Sequence, residues 1–297
     1  MKEFTLKGIL APIVTPYTDD GRVDYEAQKE IASYILASGV NGILVGGTNG
    51  EFANLTMEER VTMLEELRNA FPEASLLFNV SALNPEGLGR YIAEAKKNGA
   101  DAITSTAPYF HHYDDNALFL YFSYIAEEAG ELPVYLYNIP GMSGNPLSAS
   151  LVKRLAEKYE NIRGIKDSSM DLMTLIGYRA AVRRDDFEIS TGNDAIVMHS
   201  LLSGADGGVI ASASVFPSLA SSMYRAWKEG NTVLAMEKQN LIMEVRSLFR
   251  SVMPIMAHKE ALALQGYRVG GARLPLRNLT NEEKKKVKDR LEELELI

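Results

Sequence analysis

Three phrases of the sequence share one shape: SGVNGILV at residues 38–45, NGADAIT at 98–104 and SGADGGVI at 203–210. Each runs from the end of an amphipathic segment into a short apolar run through a glycine, the residue that most readily closes a helix in the left-handed conformation. Each therefore reads as a turn from a helix into a strand. Working outward, the chain resolves into eight apolar runs, at 8–15, 42–46, 76–80, 102–106, 134–138, 162–166, 187–191 and 207–211. Helical patterns lie between and after them, at 25–37, 56–70, 84–98, 115–129, 148–159, 171–182, 194–203 and 217–229. Thr56-Met-Glu-Glu59 has capping-box spacing, and Pro72 and Pro133 punctuate the returns. Strands that are apolar throughout, alternating with helices, predict a parallel sheet covered on both faces. Eight such units in succession predict an α/β fold, a (β/α)8 TIM barrel over residues 1–230. An open doubly wound sheet would carry GxGxxG after its first strand, where this chain has TPYTDDGRVD. Beyond residue 230 the strand signal stops. Helices are expected at 232–250, 254–265 and 281–294, a C-terminal extension over 231–297 that packs on the barrel or supplies a subunit contact. The highly charged last one reads as a solvated amphipathic helix with i,i+4 pairs.

A net charge of −8 and a pI near 5.2 leave no basic face for nucleic acid and no polybasic membrane anchor. The absence of cysteine removes disulfides, thiol nucleophiles and thiolate metal ligands, as expected of a cytoplasmic protein. MKEFTLKGIL lacks the apolar core and cleavage site of a signal peptide, and no run reaches the length of a membrane span.

In a barrel of this kind, catalytic groups project from the C-terminal ends of the strands. The sixth strand ends in Lys166, within NIRGIKDSSMD at 161–171. Lysines are almost never buried unless paired, and a partner such as Asp167 would make Lys166 purely structural. A desolvated lysine without such a partner is instead an amine nucleophile toward carbonyls. Tyr137 closes the preceding strand, so its phenol can meet the amine and shuttle protons. After the second strand, GGTNGEF at 46–52 lacks the GK[ST] of a phosphate loop. It reads either as a plain Asn-Gly turn or as a nest of N–H groups around Thr48 and Asn49 for a carboxylate, with the Thr48 hydroxyl bonded to Tyr137. Glu51 is expected to hold that loop. His111 and His112 read as surface-loop residues and His199 and His258 as isolated helical ones; no metal site is expected.

GGTNGEFANLTMEER, APYF, YNIPGMSG, GIKDSS, TGND and GADGGVIAS resemble, in order and spacing, the N-acetylneuraminate lyase/dihydrodipicolinate synthase family of class I pyruvate aldolases, over nearly the whole chain. The resemblance implies a (β/α)8 barrel, commonly a homotetramer, with no metal or dissociable cofactor, because the substrate binds as a Schiff base. It implies Lys166 as the Schiff-base lysine, Tyr137 as the phenolic proton relay, and Thr48 and Asn49, beside Gly47, as the carboxylate-binding loop. Ile210 matches the residue whose main-chain carbonyl borders the pyruvyl group, and Gly192 and Asp194 lie in the TGND turn; Asp194 either bonds a substrate hydroxyl or caps the helix after it.

The departures bear on substrate. Family members that condense pyruvate with aspartate semialdehyde carry an arginine where this chain has Met142, and a second tyrosine where it has Phe110. Sialic acid lyases carry a glutamate after the aspartate of the seventh strand's turn, where this chain has Ala195. IPGMSGN, VIASASVFP and KEALALQGYRVGGARLPL are more similar to the 2-keto-3-deoxy-sugar-acid aldolases, such as those acting on 2-keto-3-deoxygluconate. The sequence therefore predicts a lyase that splits such acids into pyruvate and an aldehyde, its partners being a small keto acid and an aldehyde. The alternatives are 4-hydroxy-tetrahydrodipicolinate synthase, 4-hydroxy-2-oxoglutarate aldolase, a dehydratase or N-acetylneuraminate lyase chemistry on the same iminium, or a keto-acid-binding barrel without catalysis.

Overall fold

In the computed structural model, which describes residues 4–297, eight strands close into a barrel in the order of the sequence. They are β1 (Gly8–Pro12), β2 (Gly42–Val45), β3 (Leu76–Asn79), β4 (Ala102–Thr106), β5 (Val134–Asn138), β6 (Ile162–Asp167), β7 (Glu188–Thr191) and β8 (Gly207–Val209). Every strand is parallel to its neighbours, and β8 pairs with β1. The helices are α1 (Tyr25–Ala37), α2 (Met57–Ala70), α3 (Pro85–Lys97), α4 (Asp115–Ala129), α5 (Pro140–Ser143), α6 (Ala149–Lys158), α7 (Leu172–Ala181), α8 (Val197–Leu202), α9 (Pro217–Lys228), α10 (Thr232–Arg250), α11 (Pro254–Leu264) and α12 (Asn281–Glu293).

The three repeated phrases do the same structural work. Gly39, Gly99 and Gly204 all have positive φ. Two residues after each glycine, an Asn or Asp side chain accepts from an N–H of the neighbouring strand: Asn41 from Ile9, Asp101 from Leu76 and Asp206 from Ile189, at 2.8–2.9 Å. In two of the repeats an arginine completes the clasp, Arg68 on Asp101 and Arg179 on Asp206. These carboxylates thus tie helix end, turn and adjacent strand at the N-terminal rim of the barrel.

Differences from the expected boundaries have local causes. Thr56, Asn84, Ser148 and Asp171 are N-caps rather than first helical residues, each side chain accepting an N–H of the first turn. β1 stops at Pro12, whose ring nitrogen cannot donate to the ladder. The helix expected at 194–203 is a 3-10 turn, Asp194–Ile196, followed by α8, and β8 gives way at 211 to a 3-10 turn, Ala211–Ser214.

The core has two layers. Alternation along the strands sends Leu10, Leu44, Leu77, Tyr135 and Val209 into the barrel, where they pack with Phe4 and Leu6 at its base. Their neighbours Ile9, Ala11, Ile43, Val45, Leu76 and Phe78 face outward into the larger layer beneath the helices. The extension joins this outer layer through Ile242, Val245, Ala257, Leu262 and Leu291.

One buried charge pair ties the extension to the loop after β2. Lys259 of α11 is fully buried, and its Nζ meets Glu51 Oε1 at 2.6 Å, off the hydrogen-bonding direction. The Nζ also lies 4.1 Å from the Tyr17 ring centre, and the Tyr17 hydroxyl donates to Glu51 Oε2 at 3.3 Å. Burial pushes the Lys259 ammonium below its ordinary pKa, and Glu51 opposes that shift. Glu51 itself sits at φ 57° and heads the 3-10 turn Phe52–Asn54, so the sequence expectation that it holds this loop agrees with its geometry. Glu51→Gln leaves a buried ammonium uncompensated and is expected to cost about 3–5 kcal/mol, read as a lower urea midpoint. Adding Lys259→Met to it should recover most of the loss, so an additive double-mutant cycle would rule out the pairing.

Candidate active site

Alternation places Tyr137 two residues above Tyr135, and Lys166 two above Gly164, on the inner face of the barrel. The β5–β6 register sets Tyr137 directly opposite Lys166. Both are buried, Lys166 at 4% exposure, and its Nζ stands 4.0 Å from the centre of the Tyr137 ring. Asp167 points the other way. It accepts from Asn138 Nδ2 at 2.6 Å and from Ser169 Oγ at 2.7 Å, and burial raises its carboxyl above the usual range. Among the described residues Lys166 has no carboxylate partner, so the ion pair that would have made it structural is not formed.

The Tyr137 phenol lies 3.3 Å from Thr48 Oγ1. Burial alone would push this phenol up, but the Lys166 charge and the contacts with Thr48, Lys166 and Ser168 outweigh it and hold the phenol below an ordinary tyrosine. A phenol that ionises more easily beside an amine is suited to accept and return protons.

These groups open into a cavity of about 470 Å³ at the C-terminal end of the strands. Thr48, Asn49, Tyr137, Lys166, Gly192 and Asp194 line it together. Asn49 Nδ2 is buried there without a hydrogen-bond partner, an amide donor open to an acceptor. Gly47 and Ile210 stand behind this wall: the Gly47 carbonyl accepts from Phe52 N–H, and the Ile210 carbonyl accepts from Ala213 N–H at 3.2 Å, while Val209 and Ala211 reach the surface. Gly192 is needed for its lack of a side chain. A Cβ there would stand 2.0 Å from Ser168 Oγ and 2.7 Å from Lys166 Cε.

Asp194 does not cap the helix after it. Asn193 makes that cap, and the Asp194 carboxylate reaches across to accept from Ser212 N–H at 2.7 Å and Ala211 N–H at 3.3 Å. It therefore clasps the turns after β7 and β8 together. His111 and His112 are exposed on the loop after β4, and His199 is exposed on α8. His258 departs from its expected isolation: it is buried in the cavity wall, 4.7 Å from Phe249 between ring centres. Its Nδ1, 2.6 Å from the Pro254 carbonyl, carries the proton and leaves Nε2 as an acceptor, and burial favours this neutral form. Sequence reasoning also missed the wall that α10 and the start of α11 raise over the mouth, with Val245, Arg246, Phe249, Arg250, Met253 and Ile255. The only signal for it was the spacing of Arg246 and Arg250, four residues apart on one helix face. Among the described residues no three His, Cys, Asp or Glu side chains gather as a metal-ligand set, and no helix is long and apolar enough to cross a membrane.

Comparison with known proteins agrees with this geometry. The family model described as the dihydrodipicolinate synthetase family matches residues 5–294. An uncharacterised DapA-like lyase of Pyrococcus horikoshii is 31% identical over 246 residues, 82% of this chain and 84% of that protein. The 4-hydroxy-tetrahydrodipicolinate synthase of Methanopyrus kandleri is 32% identical over 99% of this chain and 98% of its own length. Among solved structures, the E. coli K12 prophage protein YagE, of the dihydrodipicolinic acid synthase family and in complex with pyruvate, superposes with a TM-score of 0.94 at 28% identity, over 98% of this chain and 99% of that one. With its closed barrel and its lysine–tyrosine pair at the strand ends, the chain belongs to the dihydrodipicolinate synthetase family and is a lyase.

Proposed function

We propose that this protein is a Schiff-base aldolase that cleaves 2-keto-3-deoxy sugar acids of the 2-keto-3-deoxygluconate type into pyruvate and an aldehyde, and forms them in reverse. The observation that carries this is Lys166: a buried amine, unpaired with any carboxylate among the described residues, facing a phenol in an open cavity. The barrel over 1–230 and the helices over 231–297 act as one catalytic unit, since both line that cavity. The cysteine-free composition and the family's habit of assembly support a cytoplasmic homotetramer.

Lys166 Nζ, as the free amine, attacks C2 of the keto acid; the carbinolamine loses water to give an iminium. Thr48 and Asn49 hold the C1 carboxylate, with the free Asn49 Nδ2 as one donor and Gly47 allowing the loop its close approach. The family resemblance assigns the Ile210 carbonyl, which also accepts from Ala213 N–H just behind the cavity wall, to the pyruvyl side of the site. Tyr137 takes the proton of the C4 hydroxyl as the C3–C4 bond breaks, releasing the aldehyde; the bonding pair passes to the iminium and leaves an enamine. Protonation of the enamine at C3 and hydrolysis return pyruvate and the free amine. Gly192 keeps Lys166 in line, and Asp194 shapes the wall beside the sugar tail. Met142 is 69% exposed where semialdehyde-condensing relatives have an arginine, and Phe110 is 86% exposed and outside the cavity lining, which supports sugar-acid cleavage over condensation. The similarity to the Methanopyrus synthase favours condensation as a second reading on the same iminium, and product analysis with aspartate semialdehyde separates the two.

Incubation with pyruvate and borohydride, followed by peptide mapping, should place one adduct on Lys166, and Lys166→Ala should lose both adduct and turnover. Tyr137→Phe is expected to keep the adduct while cleavage slows by ~10²-fold or more; full cleavage in that variant would remove the phenol from the mechanism. Gly192→Ala should displace Lys166 and slow trapping by about tenfold or more with little change in urea midpoint, since a misplacement near 1 Å is costly to a reacting pair. Unchanged trapping would show that the lysine tolerates the added methyl.

A further inference from the structure

The charges facing the cavity do not balance. Lys166, Arg246 and Arg250 line it against a single carboxylate, Asp194, in a chain whose net charge is −8. Both Asp194 oxygens are already taken by main-chain N–H groups. Arg246 and Arg250 are one helical turn apart on α10, where two like charges repel. No carboxylate pairs with either among the described residues. Glu244, two residues before Arg246, is engaged by Arg290, and the polar contact of Arg246 is the Met170 sulfur at 3.8 Å. Arg68, Arg179 and Arg273, by contrast, each bind a carboxylate at 2.5–2.9 Å, and buried Arg60 donates to the Asn79 and Ser81 carbonyls. Burial lowers the Arg246 pKa and its neighbour Arg250 adds to that, while the Asp194 carboxylate offsets only part of it, so an anion placed between the two guanidiniums would relieve both effects. Lys166 stays cationic as an iminium, which the C1 carboxylate of a keto acid offsets. That leaves the two arginines for a second negative group.

We propose that Arg246 and Arg250 form a subsite for a second anionic group, a carboxylate or a phosphate, at the end of the substrate remote from its 2-keto acid. This rests on the aldolase reading above and deepens it. Met142 left the loop after β5 without a guanidinium for a distal anion; α10 supplies two from the other side of the mouth. A planar guanidinium binds either oxyanion through paired N–H bonds, so the geometry answers to both sources.

The test compares kcat/KM for 2-keto-3-deoxygluconate, its 6-phosphate and the six-carbon 2-keto-3-deoxyaldarate, on the unaltered chain and on the R246Q/R250Q and R246K/R250K variants. The unaltered chain should favour one or both anionic substrates over the neutral-tailed acid by about tenfold or more. The substrate preferred then says whether the group is a phosphate or a carboxylate. In the glutamine variant the ratio should fall to about one, mainly through KM, while the lysine variant keeps most of it because the charge remains. Preference for the neutral tail, or a ratio that survives the glutamines, overturns the subsite. Pyruvate trapping is measured alongside on the unaltered chain. Trapping on Lys166 without an anionic preference removes the subsite and leaves the aldolase standing; no trapping removes both.

Discussion

Everything in this structure depends on the seam where β8 returns to β1. Gly207 stands so close to the first strand that a Cβ on it would lie 2.2 Å from the Gly8 carbonyl, and Gly8 itself takes a positive φ of 99°. Closure at this seam leaves no free sheet edge and divides every strand into an inner and an outer face. From that division follow the small apolar plug inside the barrel, the larger layer beneath the helices, and the polar groups that meet where the plug ends. Tyr137 and Lys166 face each other because they are the next inward positions above Tyr135 and Gly164.

The protein buries two lysines and treats them in opposite ways. Lys259 has Glu51 at 2.6 Å and an aromatic face beside it, so its charge is compensated where it cannot move. Lys166 has the Tyr137 ring and an opening to a cavity, but no carboxylate among the described residues. Desolvation opposes the charged form of any buried ammonium. Glu51 opposes that pressure on Lys259 without cancelling it, whereas Lys166 faces a phenol and a cavity. The two sites are also joined, because Glu51 lies in the loop whose Thr48 and Asn49 form the cavity wall.

The extension has a second consequence. Barrel strands place the reacting groups, but the strand ends alone make an open bowl. α10 and α11 raise one side of it and bring Phe249, Arg246 and the neutral imidazole of His258 against the cavity. The wall that carries Lys166 and Tyr137 is thus built by the barrel, and the rest of the cavity is built partly by residues far away in the chain.

The sequence by itself determined the alternation of elements, all eight strands of the barrel, the long helices to within a residue or two, and the presence of Lys166, Tyr137, Thr48 and Asn49 at strand ends. These are legible because period, glycine position and capping chemistry are local, and a lysine ending an apolar run breaks the pattern where it stands. Only the tertiary structure decided that Asp167 turns away from Lys166 towards Asn138, that Asp194 clasps the turn after β8 instead of its own helix, and that Arg246, Arg250 and His258 face the cavity. Partners so distant in sequence are chosen by barrel register and by the packing of α10 across the mouth. No local pattern encodes either one, because each depends on which faces remain uncovered once the barrel has closed.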